Sequence, residues 1–214
     1  MSLYLDSADL GDARSAAASG IAAGITTNPA LMSKVSADHV THLSALLDAF
    51  PAGKVFYQLT ATDADQAAQE IAAIDRLGPG DRERVVFKLA AQPWLYAIGA
   101  QLSAAGSEVA FTAVYSPGQV LCAAQAGARW VIGYVDRAAR LDGADGPLVS
   151  RLAPFVPDGM VLLAASIKST EQAVQAVRDG AGGVTTSWTV LSSLMRHPLT
   201  DSAVDEFRAA VRGS

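Results

Sequence analysis

The segment EVAFTAVYSPGQVLCAAQAGARWVIGYV, residues 108–135, carries the pattern that decides the fold. It begins and ends with apolar runs, 108–114 and 129–135, that have the composition of β-strands. Between them, Ser-Pro at 116–117 is a typical helix start, and an alanine-rich stretch leads to Gly127, a typical helix end. A strand, a helix and a second strand in this order indicate a parallel β-α-β unit.

The same alternation continues along the whole chain. We predict eight strands, and most of them are continuous apolar runs, which is typical of parallel strands covered on both faces. Alanine-rich helical segments separate them; Ser7 is the predicted N-cap of the first, and two further helices, 188–196 and 200–212, are predicted at the end. The remaining strands are predicted at residues 2–5, 24–27, 54–59, 84–89, 160–166 and 183–187.

Eight strands that are each followed by a helical segment predict an α/β fold, a closed (β/α)8 TIM barrel with an additional C-terminal helix. The 214 residues form one predicted domain, 1–214, with short loops, since this fold typically takes about 250 residues. A doubly wound open sheet is the alternative. It is disfavoured because no strand is followed by the GxGxxG pattern of dinucleotide-binding sheets.

The composition narrows the classes of function. Half of the residues are hydrophobic, and the net charge of -5 without a basic run disfavours nucleic-acid binding. Cys122 is the single cysteine, so no intrachain disulfide is expected and a cytoplasmic location is predicted. The N-terminus lacks the features of a signal peptide, and no uncharged run is long enough to cross a bilayer, so we predict no membrane association.

Polar side chains recur where the predicted strands end. In a (β/α)8 barrel the functional residues lie at the carboxyl ends of the strands. Each residue alone has an ordinary structural explanation: Asp6 could cap a helix, and Arg137 could be a surface charge. Their shared position on one rim favours a site. The polar residues at or just after strand ends are Asp6, Thr26, Thr27, Asn28, Gln58, Thr60, Lys88, Thr112, Tyr134, Ser166 and Thr186.

Lys88 is the most informative of these residues. It lies within the apolar run RVVFKLAAQ, 84–92, and the nearest acidic residue in the sequence is Glu83. A lysine that points into a barrel mouth with apolar walls loses hydration of its charged form, so its pKa falls. The neutral amine can then attack a carbonyl and form a Schiff base. This chemistry needs no metal, and we predict no metal site and no cofactor.

Several motifs support a specific resemblance. They include LYLDSADL at 3–10, GITTNPALM at 24–32 and VVFKLA at 85–90, followed by TAVYSPGQVLCAAQAGARWVIGYVDR at 112–137 and VLLAASIKS at 161–169. With these motifs in this order, the chain resembles the transaldolase and fructose-6-phosphate aldolase family of class I aldolases over essentially its whole length. The resemblance implies a (β/α)8 barrel whose extra C-terminal helix packs on a neighbouring subunit, in pentamers or decamers.

The resemblance also implies roles for individual residues. Lys88 would be the Schiff-base nucleophile, Asp6 would assist proton movements near the imine, and Thr112 would help to hold a catalytic water. Asn28, with Thr27 beside it, would bind the hydroxyl groups of the donor. The residues implied to bind the phosphate of a sugar phosphate or ketose substrate are Ser166 and Arg137, with added positive charge from Lys168.

Two positions separate the subgroups of this family. Gln58 stands where transaldolases have a glutamate, and Tyr134 stands where they lack a tyrosine, so this pair resembles the fructose-6-phosphate aldolase arrangement. We therefore favour aldol cleavage or formation with a dihydroxyacetone-type donor, with Gln58 and Tyr134 catalytic. Three alternatives stay open: transfer of the dihydroxyacetone unit between sugar phosphates, an imine aldolase with another anionic substrate, and a non-catalytic sugar-phosphate-binding barrel.

The chain also departs from the family pattern at four positions. Ala90 replaces the proline of the usual Lys-x-Pro-x-Thr sequence, and Phe111 is bulky where small residues are usual. Asp136 replaces an asparagine, and Trp188 follows the last strand, near the predicted mouth. These changes concern the substrate rather than the lysine chemistry, and they suggest an acceptor that bears phosphate or another anionic group.

Overall fold

Eight parallel strands close into a barrel in which each strand pairs with the next in sequence and β8 pairs with β1. The structure is a computed structural model, and it describes residues 1–141, 143 and 145–212. The (β/α)8 prediction is confirmed. The strands are β1 (Ser2–Asp6), β2 (Ala22–Thr26), β3 (Lys54–Gln58), β4 (Val85–Ala90), β5 (Glu108–Thr112), β6 (Trp130–Tyr134), β7 (Val161–Ile167) and β8 (Gly183–Thr186).

Helices surround the barrel, and several loops carry more than one. The additional helix at the C-terminus is present. The described helices are α1 (Leu10–Ser19), α2 (Pro29–Met32), α3 (His39–Ala49), α4 (Ala64–Ile74), α5 (Pro79–Arg82), α6 (Pro93–Ala104), α7 (Pro117–Gln125), α8 (Val135–Leu141), α9 (Leu148–Leu152), α10 (Thr170–Arg178), α11 (Trp188–Ser193) and α12 (Pro198–Arg212), with a short 3-10 turn at Ala153–Phe155.

The predicted boundaries of the elements differ from the observed ones by up to three residues, and two of the differences have a clear local cause. The N-cap of α1 is Asp9 rather than Ser7, because extended Asp9 is three residues before Asp12 and its Oδ1 accepts the Asp12 N–H at 2.9 Å. Strand β5 ends at Thr112 rather than at residue 114. Its end is set by Ala113, whose left-handed backbone (φ 58°) turns the chain out of the sheet.

Alternate side chains of the strands fill the barrel interior. Aromatic rings close its amino-terminal half: Phe56 packs edge-on between Tyr4, with ring centroids 5.5 Å apart, and Trp130, at 5.0 Å. A larger apolar cluster lies between the outer strand faces and the helices. Because the amino-terminal half of the interior is filled with side chains, the space for a small molecule lies at the carboxyl ends of the strands.

Strand β7 contains a bulge that bears on the site. Its pairing with β8 shifts register between Ala164 and Ile167, and Ser166 within this interval has a left-handed backbone (φ 61°). Non-glycine residues in this conformation cost about 1–2 kcal/mol and persist where the surrounding structure fixes them, often at functional sites. The bulge brings consecutive residues, Ala165 and Ser166, to the lining of one cavity.

Helix α12 is amphipathic and makes little contact with the rest of the chain. None of its residues is buried, and large apolar side chains at Leu199, Phe207 and Val211 are exposed. Among the described helices, none combines the length and apolar character that crossing a membrane requires.

Candidate active site

A cavity of about 390 Å³ opens at the carboxyl ends of the strands. Side chains from β1, β2, β3, β4, β6, β7 and β8 reach it, so it lies where a (β/α)8 barrel carries its chemistry. Its lining is predominantly polar and contains both signs of charge. The lining residues are Asp6, Thr26, Asn28, Pro29, Ala30, Gln58, Lys88, Ile132, Tyr134, Arg137, Ala165, Ser166, Lys168 and Thr185.

Lys88 lies in the middle of the barrel and is 3% exposed. Its Nζ donates a hydrogen bond to the carbonyl oxygen of Thr27 at 2.6 Å. Burial lowers the pKa of this amine to about 8, and the charge of Asp6 opposes that shift. At pH 7, such a pKa raises the neutral fraction from about 0.03% to roughly 10%, a gain of about 300-fold in available nucleophile.

Asp6 ends β1 and shares the cavity with the lysine. Burial raises the pKa of this carboxyl group, while the charge of Lys88, a hydrogen bond from Thr26 and the charge of Lys168 act in the opposite direction. The Thr26 Oγ1 donates to Asp6 Oδ1 at 3.0 Å. A carboxyl group under these opposed influences can accept and return a proton close to the reacting amine.

Tyr134 ends β6 on the same cavity. Its hydroxyl oxygen accepts a hydrogen bond from Thr112 Oγ1 at 2.8 Å, and burial raises the pKa of the phenol. The phenol is therefore protonated at neutral pH and able to donate. The buried Oε1 of Gln58, which also lines the cavity, has no hydrogen-bond partner among the described residues, so it can accept a bond from a water or a substrate hydroxyl.

Two cations of the cavity follow neighbouring strands, Arg137 after β6 and Lys168 after β7. Arg137, Lys168 and the hydroxyl-bearing Ser166 all line the cavity. The Arg137 guanidinium lies over the Tyr134 ring, 5.3 Å from the centroid. Asp136 pairs with Arg140 at 3.0 Å, so this acid, one of the departures from the family pattern, is engaged along α8. Two cations and a hydroxyl suit the binding of a phosphate group.

The structure brings most of the predicted site residues to one cavity. Two of them lie behind the lining: Thr112 contacts Tyr134, and the Thr27 hydroxyl donates to the Phe56 carbonyl oxygen at 2.8 Å while its own carbonyl accepts from Lys88. Those that line the cavity are Asp6, Asn28, Gln58, Lys88, Tyr134, Ser166, Arg137 and Lys168.

Two polar residues from strand ends point elsewhere. The Thr186 hydroxyl donates to the Ile167 carbonyl oxygen at 3.1 Å, and the Thr60 hydroxyl donates to Glu70 at 3.1 Å. In β8 the residue that lines the cavity is Thr185, which the sequence reasoning missed. The alternation of side chains along strands could have identified it. Tyr4 and Asp6 face the barrel interior from β1, and Thr185 is the residue of β8 that pairs with Tyr4, so it faces the interior too.

The departures from the family pattern fall partly outside the cavity. Phe111 is buried on the outer side of β5, where its ring lies 4.6 Å from that of Tyr96. A Cβ at position 99 would come within 2.6 Å of the Phe111 ring, so Gly99 provides the space for the large side chain. Trp188 begins α11 and packs against the outer core. In the described part of the chain, His, Cys, Asp and Glu side chains form no group of three suited to a metal ion.

Comparison with known proteins identifies the family. The sequence profile of the family Transaldolase/Fructose-6-phosphate aldolase matches residues 3–212. A probable transaldolase of Symbiobacterium thermophilum is 31% identical over 97% of this chain and 95% of its own length. Probable transaldolases of Dehalococcoides mccartyi and Thermus thermophilus are each 32% identical, over 98% and 97% of this chain and 97% and 96% of their own lengths. The chain therefore belongs to the transaldolase/fructose-6-phosphate aldolase family and is an enzyme of the aldolase or transaldolase type.

Proposed function

We propose that this enzyme breaks and forms a carbon–carbon bond of a ketose phosphate, such as fructose 6-phosphate, through an imine on Lys88. The observation that carries the proposal is a buried amine with a lowered pKa in a cavity that also contains a carboxyl group and a phenol. These are the groups that imine formation, proton transfer and imine hydrolysis require. The single cysteine is in keeping with a cytoplasmic location for this activity.

In the proposed mechanism, neutral Lys88 attacks the C2 carbonyl of the ketose. A water held by Gln58 passes a proton from Tyr134, whose hydroxyl is oriented by Thr112, to the departing hydroxyl, which leaves as water and gives the iminium ion. The C4 hydroxyl then gives its proton, through the same water, to the Tyr134 phenolate, and the C3–C4 bond breaks as the aldehyde forms. The C3–C4 electron pair becomes the C2=C3 bond of an enamine, and the iminium π pair moves to nitrogen. Protonation of the enamine and hydrolysis release dihydroxyacetone, with Asp6 assisting the proton movements.

A second candidate is transfer of the three-carbon unit to another aldose phosphate. It is favoured by the relatives, which are named probable transaldolases. The enamine on Lys88 would then attack the second aldehyde instead of taking a proton from water. Gln58 and Tyr134 favour protonation, because an uncharged amide and a phenol beside the enamine can hold and polarise a water.

The test combines trapping with product analysis. The protein is incubated with dihydroxyacetone or fructose 6-phosphate and sodium cyanoborohydride, and the modified peptide is located by mass spectrometry. We expect one adduct on Lys88 and release of glyceraldehyde 3-phosphate from fructose 6-phosphate without an acceptor. Faster release when an aldose phosphate acceptor is added would favour the transferase. An adduct without cleavage of any ketose phosphate would point to another donor, and absence of both would leave a binding protein.

We propose that Arg137 and Lys168 anchor the phosphate. Replacing Arg137 by glutamine should raise KM for the phosphorylated substrate by roughly 10- to 100-fold, because hydrogen bonds to charged groups contribute about 1.5–3 kcal/mol. Reaction with an unphosphorylated aldehyde should change less than threefold. The measurement compares the two substrates in the synthetic direction. An equal loss for both would place the role of Arg137 in the chemistry, through its contact with the Tyr134 ring.

We propose that α12 packs on another copy of this chain, in a pentamer or decamer. Its exposed Phe207 and Val211 lie on one helical face with Ala203, and the described residues leave both large side chains uncovered. Phe207→Asp combined with Val211→Asp should reduce the molar mass measured by light scattering toward that of one chain, while Asp205→Asn on the opposite face of the helix should not. A single-chain mass for the unaltered protein would contradict the proposal.

A further inference from the structure

A chain of two buried hydroxyl groups leads from β8 to the carboxylate of Asp6. Thr185 Oγ1 lies 2.7 Å from Thr26 Oγ1, and Thr26 Oγ1 lies 3.0 Å from Asp6 Oδ1. Thr26 and Thr185 are each 1% exposed, and both line the cavity that contains Lys88. Thr26 reaches Asp6 from β2 and Thr185 comes from β8, the two strands that flank β1 in the barrel.

The donor of each of these two hydrogen bonds follows from the number of hydrogens that the hydroxyl groups can donate. Each threonine hydroxyl has one hydrogen to donate. When Asp6 is charged, Thr26 gives its hydrogen to the carboxylate, so the 2.7 Å contact requires Thr185 to donate to Thr26. When Asp6 is protonated on Oδ1, both bonds can reverse: the acid donates to Thr26, and Thr26 donates to Thr185. The reversed arrangement leaves the Thr185 hydrogen without an acceptor among the described residues, so only the charged form of Asp6 uses the hydrogens of both hydroxyls.

We propose that Thr185 is a positioning residue for the proposed reaction, which orients the Thr26 hydroxyl and thereby favours the charged form of Asp6. The proposal rests on the proposed function only in assigning Asp6 to proton movements near the imine. Its geometric basis, two aligned hydroxyls that end on a buried carboxylate, is independent of the substrate.

The charged groups around Asp6 explain why these hydroxyls matter for its protonation. Charged or titratable groups face it from other elements: Lys88 on β4, Tyr134 on β6 and Lys168 after β7, with Arg137 of α8 on the same cavity. Lys88 is uncharged when it attacks the carbonyl, so at that stage Asp6 lacks the cation that lowers its pKa most, and the iminium ion then restores a positive charge. The hydroxyl chain remains, and in a low-dielectric interior aligned hydrogen bonds strengthen one another.

A purely structural role predicts a different result. If the hydroxyls only tie β8 to β2 across β1, their loss should lower stability without changing the protonation of Asp6. Thr185→Val removes the hydroxyl and keeps the shape, while Thr185→Ser restores the hydroxyl. Thr186→Val is the matched control, because its hydroxyl binds the Ile167 carbonyl oxygen outside the cavity.

The decisive measurement is the titration of the Asp6 carboxyl carbon by NMR of protein labelled with carbon-13 at aspartate, with the signal identified by its loss in Asp6→Asn. We expect Thr185→Val to raise the pKa of Asp6, and Thr185→Ser and Thr186→Val to leave it as in the unaltered protein. An unchanged titration in Thr185→Val overturns the proposal, as does an equal shift in Thr186→Val.

A second measurement tests whether the change at Asp6 also alters the reaction rate. Exchange of the dihydroxyacetone α-protons with deuterium reports enamine formation and protonation. Thr185→Val should slow this exchange by about three- to tenfold and shift its pH profile to higher pH, with little change in KM and with recovery in Thr185→Ser. Absence of exchange and trapping in the unaltered protein contradicts the proposed function, while the NMR titration still decides the role of Thr185.

Discussion

Lys88→Met is expected to abolish the reductively trapped adduct and all turnover, and also to make the protein more stable at neutral pH. The adduct requires the amine, which methionine replaces with an apolar chain of similar length. The gain in stability has a separate origin, because a buried ammonium group is costly and a methionine is not. Lys34→Met is the control: Lys34 lies on the exposed surface after α2, so this variant should keep the adduct on Lys88.

The sign of the stability change follows from linkage. The pKa of Lys88 is about 8 in the folded protein against 10.5 for an unperturbed lysine, so between these values the unfolded chain binds more protons and stability rises with pH. Below pH 8 the full cost is present, about 3 kcal/mol at most. The methionine variant should therefore gain most at pH 7 and least above pH 10.5 in urea unfolding. A variant less stable than the unaltered protein at pH 7 would contradict this account of the buried amine.

Tyr134→Phe should lower kcat for ketose phosphate cleavage by about 100- to 1000-fold, with KM within a few-fold. The phenol is the group proposed to deliver the proton in imine formation, and general acid–base catalysis contributes roughly 10²–10⁴ in rate. The substitution also leaves the Thr112 hydroxyl without the acceptor it has at 2.8 Å.

The control for this variant is a neighbouring tyrosine. Tyr115 packs edge-on against Tyr134 with ring centroids 6.1 Å apart but does not line the cavity. Tyr115→Phe keeps that packing and should retain most of the activity. Stopped-flow trapping at saturating dihydroxyacetone would show whether the loss in Tyr134→Phe occurs at imine formation. A Tyr134→Phe enzyme with more than a tenth of the original kcat would rule out the phenol as the principal proton donor.

Much of the fold could be predicted because its signals are local. Apolar runs of strand length alternate with capped, alanine-rich helices, and the barrel then places the strand ends on one rim. Lys88, Asp6 and Tyr134, which are far apart in the chain, come together on this rim. The apolar neighbours of Lys88 also predicted the direction of its pKa shift.

The features that escaped prediction depend on partners that are remote in sequence. Whether Thr185 or Thr186 faces the cavity is decided by the pairing of β8 with β1, which closes the barrel. The contact of Lys88 with the Thr27 carbonyl uses a backbone atom, which residue types do not reveal. The bulky Phe111 is accommodated by Gly99 on α6, a compensation visible only after the helix is packed on β5.

The packed rings of Tyr4, Phe56 and Trp130 determine the order in which substrates and products can bind and leave. With the amino-terminal half of the barrel filled, a cleaved aldehyde and an incoming acceptor share the route at the strand ends. The two therefore exclude one another from the covalent intermediate. Any transfer reaction should follow substituted-enzyme kinetics, with parallel double-reciprocal lines for the two sugars and competition between the first product and the acceptor.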